Sequence, residues 1–189
     1  MDARSILMRC ALDARDPTAL AFAGVLAPAL DRGGARAWPI GGLDEPRTRR
    51  MLDRWFPGAA LALAVGAQPA ATSPPDAARG DEFDDLVALF VEHADPHAGR
   101  RDEAGWVACL LASACGGDNH LWQDLGLPSR RELSALIGRW FPQLAAKNAH
   151  DMKWKKFFYK QLCEREGLFV CRAPSCGACS DYVHCFGPE

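Results

Sequence analysis

The chain has 189 residues, of which 49% are hydrophobic and 24% charged, with a formal net charge of −2. That length and apolar content suit one domain, or two small ones, with a real core. The near-balanced charge gives no global attraction to nucleic acid or to an anionic membrane. No apolar run is long enough to span a bilayer, and the opening Met1-Asp2-Ala3-Arg4 does not read as a secretory signal, so a cytoplasmic protein is expected. Eight cysteines without an export signal point to thiol chemistry or metal binding ahead of a disulfide framework.

In chain order, Asp16-Pro17 opens a helix, with proline in the tolerated first turn, and an apolar stretch runs from Phe22 to Leu30. Gln68 to Gly80 has the composition of a linker or a long surface loop. Phe83, Leu86, Val87, Phe90 and Val91 then recur at helical spacing. Asp81 is the expected cap of that helix, and Glu82, Asp84 and Asp85 suit its positive first turn. A further helix is expected from Trp106 to Cys115, ended by Gly116-Gly117. Ser129 and Glu132 form a Ser-x-x-Glu capping box ahead of Leu133, Leu136, Ile137 and Trp140, with Pro142 as the stop. The last helix runs from about Met152 to Glu166 and stops at Gly167. No segment alternates as a strand would, so the fold class is all-α.

The chain also repeats itself. Arg54-Trp55-Phe56-Pro57 recurs as Arg139-Trp140-Phe141-Pro142. With one gap, Leu43 falls opposite Leu127, Trp38 opposite Trp122 and Gly33 opposite Gly117, and the helix at Phe22 meets the one at Trp106. Two related multi-helix units in tandem are therefore expected, with a C-terminal cysteine-rich metal-binding loop. The organisation is a first helical unit over 1–66, a Pro/Ala-rich linker or loop over 67–80, a main helical region over 81–167, and a cysteine-rich tail over 168–189.

The tail carries the chemistry. Cys10, Cys109, Cys115 and Cys163 are scattered in helical segments and read as small buried apolar residues. Cys171, Cys176, Cys179 and Cys185 form a C-x4-C-x2-C-x5-C run. Four thiolates so close in sequence can close around one compact centre, and Pro174 and Gly177 supply the turns such a wrap needs. Structural zinc sites usually pair two knuckles across a longer loop. A single unbroken run is more like the cysteine runs of iron–sulfur proteins, although the spacing differs from both common ferredoxin patterns. Spacing alone places an iron–sulfur centre ahead of zinc, and leaves both open.

The stretch Met152-Lys153-Trp154-Lys155-Lys156-Phe157-Phe158-Tyr159-Lys160-Gln161-Leu162-Cys163-Glu164, the cysteine run, the ending Cys185-Phe186-Gly187-Pro188-Glu189, and Gly117-Asp118-Asn119-His120-Leu121-Trp122-Gln123-Asp124-Leu125-Gly126-Leu127 together resemble the NifQ family. The resemblance is strong from about Asp81 onward and weak before it. It implies molybdenum handling in bacterial nitrogen fixation: a cluster of molybdenum, iron and sulfur on Cys171, Cys176, Cys179 and Cys185, with molybdate as the metal source. It also implies donation of molybdenum to cofactor assembly, with the nitrogenase iron protein and the assembly scaffold as partners. The expected function is that of a metallocluster carrier and not an enzyme. The alternatives are a zinc-stabilised helical interaction module and an iron–sulfur electron carrier.

Other residues have weaker claims. His184 neighbours Cys185 but reads as a solvated loop histidine, and Cys163 as a core residue. Lys153, Lys156 and Lys160 share one helix face, with Lys155 at its side and Trp154, Phe157, Phe158 and Leu162 opposite. That basic face can attract molybdate or an acidic partner, though such faces are usually only solvated. His120 is a ligand candidate only if its turn folds against the tail; turn chemistry by Asp118 and Asn119, with Trp122 in the core, is the plainer reading. His93 and His97, near Asp95, read as surface residues.

Overall fold

The computed structural model describes residues 2–33, 39–63, 80–167 and 182–187. Among them every regular element is a helix and none is a strand. The helices are α1 (Ala3–Cys10), α2 (Pro17–Gly33), α3 (Glu45–Trp55), α4 (Ala59–Ala62), α5 (Gly80–Glu92), α6 (Arg101–Cys115), α7 (Leu121–Asp124), α8 (Arg130–Trp140), α9 (Pro142–Lys147), α10 (Trp154–Arg165) and α11 (Tyr182–Phe186). The all-α expectation holds. Most of the linker stretch, and Trp38 of the repeat alignment, lie outside the described residues.

Local chemistry explains the helix starts. The Asp44 carboxylate accepts from the Arg47 amide, and Asp16 accepts from the Thr18 amide at the mouth of α2. Ser129 caps α8 by accepting from the Arg131 amide, while its hydroxyl donates to the Glu132 carboxylate. This is a variant of the expected reciprocal box, and the hydroxyl bond holds the Glu132 carboxyl below its usual range. Two expectations need correction. Asp81 lies inside α5, which begins at Gly80. Pro142 does not simply stop a helix: α8 already ends at Trp140, and Pro142 is the first residue of α9. Proline has no amide hydrogen to leave unpaired at that position.

The two Arg-Trp-Phe-Pro strings adopt the same local geometry. Each closes an 11-residue helix, at Trp55 and at Trp140. Phe56 and Phe141 take nearly the same backbone angles (φ −134°, ψ 64° and φ −136°, ψ 56°). Arg54 and Arg139 each lie 5.2 Å over the following tryptophan ring. A short helix follows each string, α4 or α9.

The two strings also meet in the core. The Trp55 and Trp140 rings cross edge-on at 6.3 Å. Trp140 is fully buried, and its indole N–H donates to the Thr18 hydroxyl at 2.9 Å. From Phe141 an aromatic series runs on through Phe90 (5.2 Å), Phe158 (4.8 Å) and Trp154 (5.6 Å). One apolar cluster thus contains residues from α1 to α10. Glu103 is buried beside it, accepting from the Arg54 side chain and the Arg100 amide; an unpaired carboxylate there would be costly.

Helix α2 meets the turn after α7 at backbone contact. A Cβ on Gly24 would sit 2.1 Å from the Leu125 carbonyl oxygen, and Gly126 has φ +62°, where glycine is favoured. Pro28 lies within the same helix and cannot donate to the Gly24 carbonyl.

Two stability predictions follow from these contacts. Thr18→Val removes the acceptor of a fully buried indole N–H and is expected to cost about 1–3 kcal/mol. Gly24→Ala forces two backbones apart and is expected to cost about 2 kcal/mol or more. Each would lower the melting temperature by several degrees in thermal denaturation. A melting point unchanged by Gly24→Ala would show that the α2–turn contact is not tight.

Candidate functional site

Of the four tail cysteines, Cys185 lies among the described residues; Cys171, Cys176 and Cys179, with Pro174 and Gly177, lie outside them. Cys185 is a free, half-buried thiol on α11, a helix beyond the one read from the sequence as the last. Tyr182 and Phe186 stack along that helix at 4.6 Å, and Cys185 and Phe186 rest against the edge of the core. The Cys185 carbonyl accepts from the Lys153 amide at 2.8 Å, and the Val183 carbonyl accepts from Lys153 Nζ at 3.2 Å. Helix α11 is therefore docked at the N-terminus of α10, the positive end of that helix.

The start of α10 is held from three sides. The Asn148 side chain both accepts from the Met152 amide and donates to the Met152 carbonyl, each at 2.9 Å. Arg130 donates to the Asp151 carboxylate and to the Asp151 and Met152 carbonyls. Trp154 is buried, with its indole N–H on Ser134 Oγ at 3.1 Å. Asp151 itself has φ +54°, an uncommon angle for a residue with a side chain.

Opposite stands the turn from Gly116 to His120. Lys155 straps it to α10, donating to the Gly117 carbonyl at 2.7 Å and to Asp124 Oδ2 at 2.5 Å. The other Asp124 oxygen accepts from Asn119 Nδ2 at 3.0 Å. This pair is largely buried, with the two side chains 19% and 12% exposed. Gly117 is required by the strap, because a Cβ there would approach Asp124 Oδ2 to 2.5 Å. The Gln123 side chain accepts from the His120 amide and orders the turn into α7.

Between turn and helix lies a cleft of about 560 Å³, whose lining includes His120, Asn119, Asp118, Lys153, Lys156 and His184. The structure thus brings His120 and His184 to one cleft, beside the helix that bears Cys185. The basic face read from sequence is redistributed. Lys153, Lys155 and Lys156 all line the cleft, Lys155 being also the strap to Asp124, and Lys160 pairs with Glu164 at 3.0 Å. Asn119 bonds the Asp124 side chain where local backbone was expected. Trp122 is only partly buried.

The remaining candidates separate clearly. Cys115 is buried, and loss of solvation pushes its thiol up to about 12, so it stays protonated and inert. Cys109 is raised for the same first reason but is only partly buried. Cys10 and Cys163 are likewise half-buried rather than core residues; Cys163 is a free thiol on α10. Both His93 ring nitrogens are engaged, by the Leu89 carbonyl and by Lys147, and the Asp95 side chain caps the His97 amide. Among the described residues no group of three or more His, Cys, Asp or Glu is placed to hold a metal ion. No helix among them is long and apolar enough to cross a membrane.

Comparison with known proteins places the chain. No solved structure matches it. The protein NifQ of Azotobacter vinelandii is 49% identical over 111 residues, covering 59% of this chain and 55% of the relative. That of Rhodobacter capsulatus is 48% identical over 87 residues, covering 46% and 48%. The chain thus spans about half the length of these two relatives. A NifQ homologue of Sinorhizobium fredii is 39% identical over 170 residues, covering 88% of this chain and 70% of its own. The NifQ family model matches residues 21–187, which takes in the repeat, the strapped turn and the cysteine run. The chain belongs to the NifQ family.

Proposed function

We propose that this protein carries a cluster of molybdenum, iron and sulfur as cargo, held by Cys171, Cys176, Cys179 and Cys185, and delivers molybdenum to assembly of the nitrogenase iron–molybdenum cofactor. It acts as a metallocluster carrier and not as an enzyme, takes molybdate as its metal source, and hands over to the assembly scaffold and the nitrogenase iron protein. Family membership and the C-x4-C-x2-C-x5-C run support this reading. The observation that carries it is the setting of Cys185: a free thiol, half-buried, docked by its own carbonyl on the N-terminus of α10 beside a cleft of lysine and histidine. Soft thiolates suit iron–sulfur chemistry, and the positive helix end suits an anionic cluster. A ligand at the edge of the core, rather than inside it, also suits a carrier that must release its metal. We read the matched Arg-Trp-Phe-Pro geometries as the trace of two duplicated helical units, of which the second continues into the metal-bearing tail.

The ligand test is elemental analysis after anaerobic expression with molybdate. Wild-type protein is expected to hold iron and molybdenum. Ser in place of Cys171, Cys176, Cys179 or Cys185 should strip or destabilise the cluster, because a hydroxyl is a harder and poorer ligand. Cys115→Ala should keep full metal content. Zinc as the main metal, or iron without molybdenum, would refute the carrier reading.

Among the described residues, all the fully buried apolar side chains lie at or before Phe158. Removing residues 168–189 should therefore abolish metal binding while circular dichroism keeps most of its helical signal. Collapse of that signal would favour a tail that acts as a structural clip, as in small zinc-dependent folds.

A further inference from the structure

We infer that the cleft between the Gly116–His120 turn and the start of α10 is a capture site for molybdate as an intact tetrahedral oxodianion, distinct from the cysteine ligands. The inference rests on the carrier reading for the identity of the anion. Its location and charge preference come from the fold.

Five basic side chains from three separate parts of the fold line this cleft: His120 from the turn, Lys153, Lys155 and Lys156 from the head of α10, and His184 from α11. A cluster on one exposed helix face would be ordinary solvated charge. This one is assembled across elements that are individually fixed. Lys153 Nζ is held by the Val183 carbonyl, and the Lys155–Asp124 strap sets the spacing between the two walls. The strap also removes Asp124 from the balance, since its charge is met by Lys155. Lys156 makes no ion pair among the described residues. Among the described residues Asp118 is the carboxylate that lines the cleft.

The lining chooses the class of ligand. The lysines donate hydrogen bonds and have no lone pair for a metal, and among the described lining residues they outnumber Asp118, so the charge balance favours an anion over a bare cation. Beyond the paired Lys155, the ammonium groups of Lys153 and Lys156 beside the positive end of a 12-residue helix favour an anion. Among the described residues no aromatic side chain other than the two histidines lines the cleft, and a small inorganic anion fits that lining better than a nucleobase. A volume of about 560 Å³ holds a four-oxygen anion together with its water.

The placement serves the cargo. His184 precedes Cys185, and the Cys185 carbonyl is bonded to the Lys153 amide. An anion in the cleft would rest beside a cluster ligand, with the lysines offsetting its repulsion by a negative cluster. Binding is the whole of the proposal: no bond to molybdenum is made or broken in the cleft.

The test is equilibrium dialysis of molybdate against the metal-free, full-length chain in which Cys171, Cys176, Cys179 and Cys185 are all Ser. One molybdate per chain is expected. Lys156→Gln and His120→Gln are each expected to weaken binding about tenfold at low salt, with a smaller difference at high salt, while circular dichroism shows an intact fold. The site is refuted if the four-Ser chain binds no molybdate, or if both cleft variants bind as the parent does. The carrier reading fails separately: a wild-type chain that captures molybdate in the cleft but never acquires a molybdenum-containing cluster would sink that reading and leave the site standing.

Discussion

Burial of the Trp140 indole is the constraint on which most of the architecture depends. A tryptophan fully removed from water needs a partner for its N–H, and Thr18, at the mouth of α2, supplies it. The Trp140 carbonyl accepts from the Asp95 amide beyond the end of α5, and Gly99 lies so close that a Cβ would fall 2.7 Å from the ring. On another side stands Trp55, the equivalent residue of the first Arg-Trp-Phe-Pro string. One side chain therefore fixes α2, α3, the α5–α6 connection and α8 relative to each other. The two strings are not equals at this point: the Trp55 indole N–H is buried without a hydrogen-bond partner among the described residues, so the similar backbones carry different internal bonding.

From that junction the core reaches the cleft through rigid contacts. Phe141, Phe90, Phe158 and Trp154 touch in turn, which seats α10 on α5 and α8. With α10 seated, consecutive lysines have divergent roles. Lys153, Lys155 and Lys156 all line the cleft, but Lys155 is tied to a shielded carboxylate and serves as framework, whereas Lys153 and Lys156 make no ion pair among the described residues. Charge that looks uniform in the string Lys-Trp-Lys-Lys is partitioned by packing into support and surface.

This partition shows what was legible in the sequence. Apolar periodicity identified the helices around Phe22, Phe83, Trp106, Leu133 and Trp154, because each buries one face and the period is a local property. Caps at Asp16 and Ser129 were equally readable, being satisfied within a few residues. Features that depend on distant partners were not. The Lys155–Asp124 strap joins positions 31 apart, and His120 and His184 are separated by most of α7 to α11. The turn motif and the lysine string each stood out separately, but nothing local says that they face each other. Pro142 misled because a proline reads the same way after one helix as at the start of the next. Cys10, Cys109 and Cys163 misled because a helical cysteine is small enough to sit at the edge of a core as readily as within it.

The bond from the Lys153 amide to the Cys185 carbonyl joins backbone to backbone across 32 residues. It makes the intervening chain a closed loop, tethered where α10 begins and where α11 ends. That bond nets about 1 kcal/mol, and together with the Lys153 Nζ bond to the Val183 carbonyl and the packing of Cys185 and Phe186 on the core it opposes the entropy of loop closure. Cross-links inside that loop shorten the free chain that must be ordered, so a metal bridging Cys185 to cysteines earlier in the loop would tighten the tether. Release of that metal would lengthen the loop again and weaken the hold on α11. On the proposed ligand set, docking of α11 and retention of cargo would be reciprocal, each raising the effective concentration of the groups the other requires.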